Sequence, residues 1–351
     1  MSMKTPLGFA LATGLALLAL APASEAQDPA ARYEKVRKIA VGGEGGWDFL
    51  EVDAANRKLY ISRSTRVMVV DLDTEKVVGE IAETPGVHGV AFAPALNRGF
   101  TSNGGDSTVT AFDLKTLKVL GKIKANGRPD IITYEPVTRR ILSFNHGTND
   151  ITAIDPATLK VVGTLAAGGV PELAVSDEKG HVFVNLEDTS EILEFDAATM
   201  KPLKKFSLAP GEEPTGLAFD PKARKLFSTC ANRKLVIADA DTGKVAQALE
   251  IGPGPDGCVF DPESKLVFSS NGGDGTLTIA REKTPGLYEV AANIQTQASA
   301  KTLAMDPKTR RIYLAAATRA PAPAKSATNP AKKAPRPGYE PGSFVVIVVG
   351  E

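Results

Sequence analysis

A block of about forty residues recurs seven times along this chain, each copy built on one motif. An apolar run closes on an acidic residue, often followed by proline; a turn intervenes; a second apolar run follows. The copies are Leu50–Tyr60, Val90–Phe100, Ile132–Leu142, Leu173–Phe183, Leu217–Phe227, Cys258–Phe268 and Leu303–Tyr313. Aligning Asp53, Ala93, Glu135, Ser176, Asp220, Asp261 and Asp306 gives spacings of 40, 42, 41, 44, 41 and 45. Strand-like units at that period predict an all-β, seven-bladed propeller with four strands in each blade.

The second repeat shows how a blade forms. His88–Phe92 is apolar enough for a buried inner strand, and Pro94 cannot continue it. Gly99–Ser102 is the second strand, Asn103-Gly104-Gly105-Asp106 a tight turn, Thr108–Phe112 the third strand and Lys118–Ile123 the outer one. The third-to-fourth-strand turns repeat as Asp71–Thr74, Asp196–Thr199 and Asp239–Thr242, where a side-chain oxygen is expected to cap backbone amides. Repeat seven has sequence for three strands and none for a fourth. Lys35–Ile39 resembles an outer strand, so the N-terminal strand is expected to complete the last blade and close the ring.

Residues 1–26 read as a secretory signal peptide: Lys4, an apolar Leu7–Leu20, and small residues at Ser24 and Ala26 before Gln27. The expectation is a periplasmic or secreted protein, cleaved near Ala26, with residues 27–351 forming one propeller domain and no membrane span. Lys+Arg and Asp+Glu both number 41, and zero net charge gives no reason to expect nucleic acid as a partner. Export makes a bridge between Cys230 and Cys258 feasible, and two small buried thiols are equally compatible with the sequence.

The strand entries Arg128-Pro129-Asp130, Pro171-Glu172 and Gly254-Pro255-Asp256, the Asp-Pro turns and the Asn-Gly-Gly loops together resemble the YVTN-repeat (YncE-like) β-propellers. The resemblance runs from about Tyr33 to Gly350. The Tyr-Val-Thr-Asn consensus is replaced here by Leu59–Ser62, Phe100–Asn103, Phe227–Cys230 and Phe268–Asn271. It implies the fold, and brings no catalytic motif with it.

Five residues before each aligned position lies a residue expected at the mouth of the central channel. These are Asp48, His88, Asp130, Pro171 with Glu172 beside it, Thr215, Asp256 and Lys301, with Trp47 next to the first. Converging acids repel unless a cation, Lys301 or water compensates. Asp48, His88, Asp130 and Asp256 are therefore candidate ligands for a divalent cation, and the same ring could instead hold a small polar ligand or only solvate the channel. Loops on the same face add Asn103, His146 and Asn271. No nucleophile elbow, zincin motif or phosphate-binding loop occurs, and Gly42–Gly46 enters a strand instead of a helix. Residues 318–342, rich in Ala, Pro and Lys, interrupt blade seven as an insertion placed over the acidic mouth. The expected function is a monomeric binding or interaction module for a small polar ligand or an exported protein. The competing reading is a lactonase- or lyase-type enzyme using a cation or a His/acid pair, although the ring lacks the asparagines a Ca²⁺ lactonase needs.

Overall fold

The computed structural model describes residues 1–4, 28–321 and 338–350. Residues 5–27, most of the expected signal peptide, and Lys325, Lys332, Lys333 and Arg336 of the insertion lie outside the described residues. Among those described, no helix is long and apolar enough to cross a membrane.

Seven four-stranded antiparallel sheets form a ring, a seven-bladed β-propeller. Blade one runs through Leu50–Asp53, Lys58–Arg63, Arg66–Asp71 and Val77–Ile81, and five further blades repeat this meander between Val87 and Gln295. Inner strands pack against their neighbours around the ring, and Leu303–Met305 returns against Leu50–Asp53. Blade seven is composite. Its first three strands are Leu303–Met305, Ile312–Ala316 and Val345–Val349, and Val36–Ala40 supplies the fourth by pairing with Val345–Val349. The expected closure is therefore present.

The middle strands explain the stability of each blade. Strands such as Lys58–Arg63 and Arg140–Asn145 are buried on both faces, because sheets pack on either side. Outer strands such as Val119–Lys124 are mostly exposed. The turns behave as their chemistry requires: Asp71 Oδ1 accepts from the Thr74 amide at 2.7 Å, and Asp113, Asp196 and Asp239 do the same for Thr116, Thr199 and Thr242.

Blade four corrects one expectation. Ala174 pairs with Val184, whereas Ile132 pairs with Ser143 in blade three, so the hairpin of blade four is one residue shorter. The residue equivalent to Asp53 and Glu135 is therefore Asp177, not Ser176. Asp177 is buried and accepts from the Lys179 and His181 amides at 2.9 and 3.0 Å. The same shift puts Glu172, not Pro171, at the mouth.

Candidate functional site at the channel mouth

Each mouth residue sits where the chain enters an inner strand, and in blades two to six a bulge there separates the strand's first pair from the regular ladder. Hydroxyls from the preceding blade hold these entries in place. Ser62 Oγ donates to the His88 carbonyl at 2.6 Å, Ser102 Oγ to that of Asp130, and Ser270 Oγ to that of Lys301 at 2.5 Å. Asn185 does the same for Thr215 at 3.1 Å, and Thr302 Oγ1 donates to the Asp48 carbonyl at 2.7 Å. These rivets run from blade to blade, so the ring's backbone is fixed before its side chains take any role. Three of them, from Ser62, Ser102 and Ser270, use residues that replace the Tyr-Val-Thr-Asn consensus.

The side chains divide into three sectors. In the first, His88 Nδ1 lies 2.6 Å from Asp48 Oδ2 and 3.3 Å from Asp130 Oδ1. Burial opposes charge on His88, but the hydrogen bond to Asp48 and the charge of Asp130 outweigh it and raise the imidazole above its usual range. In the second, Lys301 Nζ bridges Asp48 Oδ1 at 2.9 Å and Asp256 Oδ2 at 2.6 Å, which holds the ammonium charged. The third holds Glu172, with His146 Nε2 3.9 Å from it and 3.8 Å from Glu187.

Burial alone would push the Asp48 carboxyl up, but hydrogen bonding from His88 and the charge of Lys301 bring it below the usual carboxylate range. Asp256 stays raised by burial despite Lys301. Asp130 is raised by burial, with the charge of Asp48 adding and His88 opposing. Glu172 is pushed up to about 9, through burial and then repulsion from Asp130, Asp256 and Glu187. Ligating atoms of Asp48, His88 and Asp130 lie within 4.8 Å of one another, as do those of His146, Glu172 and Glu187. Thus Asp48 and Asp256 already share a cation, while Asp130 and Glu172 are underpaid in positive charge.

Several residues expected at the site have other occupations. Asn103 and Asn271 are fully buried: Asn103 Nδ2 donates to Thr108 and Thr110 at 3.0 and 2.8 Å, and Asn271 Nδ2 to Thr276 and Thr278 at 2.9 Å each. Their amides brace strands inside the blade and are not offered to a ligand. Thr215 belongs to the ring, but its hydroxyl is spent on the Pro255 carbonyl at 3.0 Å. Trp47 packs at 4.6 Å against Tyr339, in the described end of the insertion, and at 5.3 Å against Phe344 just beyond it. Cys230 and Cys258 are buried free thiols of adjacent blades, and burial pushes the Cys230 thiol up to about 12.

Two further residues matter here. The glycine-rich stretch Gly42–Gly46 wraps the buried Arg63 guanidinium, whose nitrogens donate to all five carbonyls of that stretch at 2.9 to 3.2 Å. Glu51 lies within the channel itself, below the ring, with no hydrogen bond or ion pair among the described residues.

Comparison with known proteins supports the architecture. No protein-family model matches the chain, and no curated protein matches it in sequence. The solved structures that share its fold include two examples. One, titled Kuenenia stuttgartiensis hydrazine synthase, has a TM-score of 0.68 at 18% identity over 78% of this chain and 94% of that one. The other, titled the mitotic checkpoint complex, has a TM-score of 0.69 at 15% identity over 89% of this chain and 95% of that one. At such identities the likeness is one of fold.

Proposed function

We propose that this chain is an exported propeller of the YVTN-repeat kind that acts as a binding module, taking a cationic ligand at the acid-rich mouth of its channel. The observation that carries the reading is charge imbalance. Asp48, Asp130, Glu172, Glu187 and Asp256 converge with one ammonium and two imidazoles among them, and burial raises Asp130, Asp256 and Glu172 above the ordinary carboxylate range, Glu172 to about 9. A cation arriving beside Asp130 and Glu172 would bring both carboxyls down and let Glu172 ionise. The site's own chemistry supports this, since two ring carboxylates already grip the Lys301 ammonium.

The Asp48–His88 pair favours a second reading, a lactonase- or lyase-type enzyme with that pair as its acid and base. His88 is raised by Asp48 and Asp130 and so would enter as the acid.

A thermal-shift screen tests the first reading. Ca²⁺, Mg²⁺, Mn²⁺, Zn²⁺, Cu²⁺ and methylammonium would be compared on the parent, Asp130→Asn and Glu172→Gln. At a hundredfold excess over Kd, a bound cation should raise the parent's melting temperature by roughly 5 °C and the variants' by much less. No shift with any cation, or equal shifts in the variants, would remove the reading.

A further inference from the structure

Directly beneath the ring the channel turns apolar. A cavity of about 400 Å³ begins at Phe49 and Ile131 and continues past Val90, Leu303 and Met305. Such a volume suits a small organic ligand. At the level of Glu51 the other six blades contribute Ala91, Thr133, Val175, Ala218, Val259 and Ala304, all small or medium in size. Glu51 is therefore the one ionisable side chain at its level. It meets lumen water, yet protein surrounds it on all sides, and that enclosure drives its carboxyl up to about 8.

We infer that the channel binds a linear α,ω-diammonium alkane end-on, with one ammonium at Asp130 and Glu172, the methylenes in the apolar cavity, and the second ammonium on Glu51. The inference rests on the cation-binding reading of the mouth and extends it inward. Three features select this chemistry. The ring's carboxylates hold an ammonium already, that of Lys301, at 2.9 and 2.6 Å. A lone carboxylate among apolar walls supplies too few ligands for a hard metal ion, which takes six or more oxygens, but it can pair with one ammonium. The wall between the two acidic stations offers apolar side chains that suit methylenes and would leave a polar spacer unpaired.

The spacing sets the length. In blade three the mouth residue Asp130 lies three residues above Thr133, which is level with Glu51, and on that strand this spans about 10 Å at the usual rise. Extended chains advance roughly 3.5 Å per three bonds, which corresponds to about eight bonds and seven carbons between the nitrogens.

Calorimetric titration of the purified chain with diaminoalkanes of increasing length, from 1,4-diaminobutane to 1,10-diaminodecane, and with heptylamine tests this. Affinity should peak at roughly six to eight carbons, with 1,7-diaminoheptane at least about tenfold tighter than heptylamine. Glu51→Gln should erase that advantage while leaving heptylamine binding unchanged. Val259→Phe, which fills the cavity, should weaken every long amine and spare methylammonium. A flat length series, equal affinity for monoamine and diamine, or no effect of Glu51→Gln overturns the inference. If metal ions or methylammonium bind while diamines gain nothing, the mouth stands and the lumen site falls. If no cation binds at all, both fall.

Discussion

Glu172 is repelled by four other carboxylates and has one imidazole within 4 Å. Its folded pKa of about 9 lies far above the ordinary 4.5, so the folded state holds a proton that the unfolded state releases throughout that window. Stability should therefore fall as pH rises from about 5 to 9. Glu172→Gln removes this contribution and should flatten the decline, leaving the variant a few degrees more stable than the parent near pH 9. Melting curves at intervals of one pH unit check this, and parallel curves would show that Glu172 ionises without strain. Much of the ring was legible because strand-entry residues keep a constant distance from a recurring acidic turn. Blade four slipped by one because Ser176 stands beside Asp177, and nothing in the chain marks a hairpin one residue short. Asn103 and Asn271 were misplaced for another reason: sequence puts an asparagine at a turn without saying which way its amide faces. Glu51 escaped notice because its isolation exists only across blades.

Strands and turns were easier to read than loops. Alternating apolar runs and Asp-x-x-Thr turns depend on near neighbours alone, so they are visible in a single repeat. Gly42–Gly46 depends on a partner about twenty residues on. Read alone it is a flexible entry loop. In the fold its carbonyls converge on Arg63, which also stacks over Phe344 at 3.6 Å and so ties blade one to the closing blade. Gly43 and Gly45 adopt φ of 81° and 95°, which side-chain-bearing residues rarely tolerate. Burial lowers the guanidinium to about 10, still well above neutral pH, and carbonyl oxygens replace its water. Arg63→Met leaves five carbonyls without their donor and should cost about 3 kcal/mol or more in denaturant unfolding. A loss below about 0.5 kcal/mol would mean that water replaces the guanidinium freely.

Closure joins the two ends of a chain whose repeats are otherwise each complete. Val36–Ala40 contributes the outer strand of blade seven, and Tyr33, fully buried, meets Phe268 edge-on at 4.8 Å in blade six. Deleting residues 33–41 would expose the edge of Val345–Val349 and open the ring, so the truncated chain should melt well below the parent and tend to aggregate. A truncation that melts like the parent would contradict the composite blade. A closed ring is what turns seven similar strand entries into one site, because only then do acids from blades one, three, four and six and His88 from blade two face a common axis. The central claim is that this mouth keeps Glu172 protonated until a cation arrives. Titrating the best-binding cation by calorimetry at pH 7, in buffers of differing ionisation enthalpy, counts the protons exchanged on binding. The account predicts proton release from the parent, diminished in Glu172→Gln. Binding without proton release, or release undiminished in the variant, would contradict it.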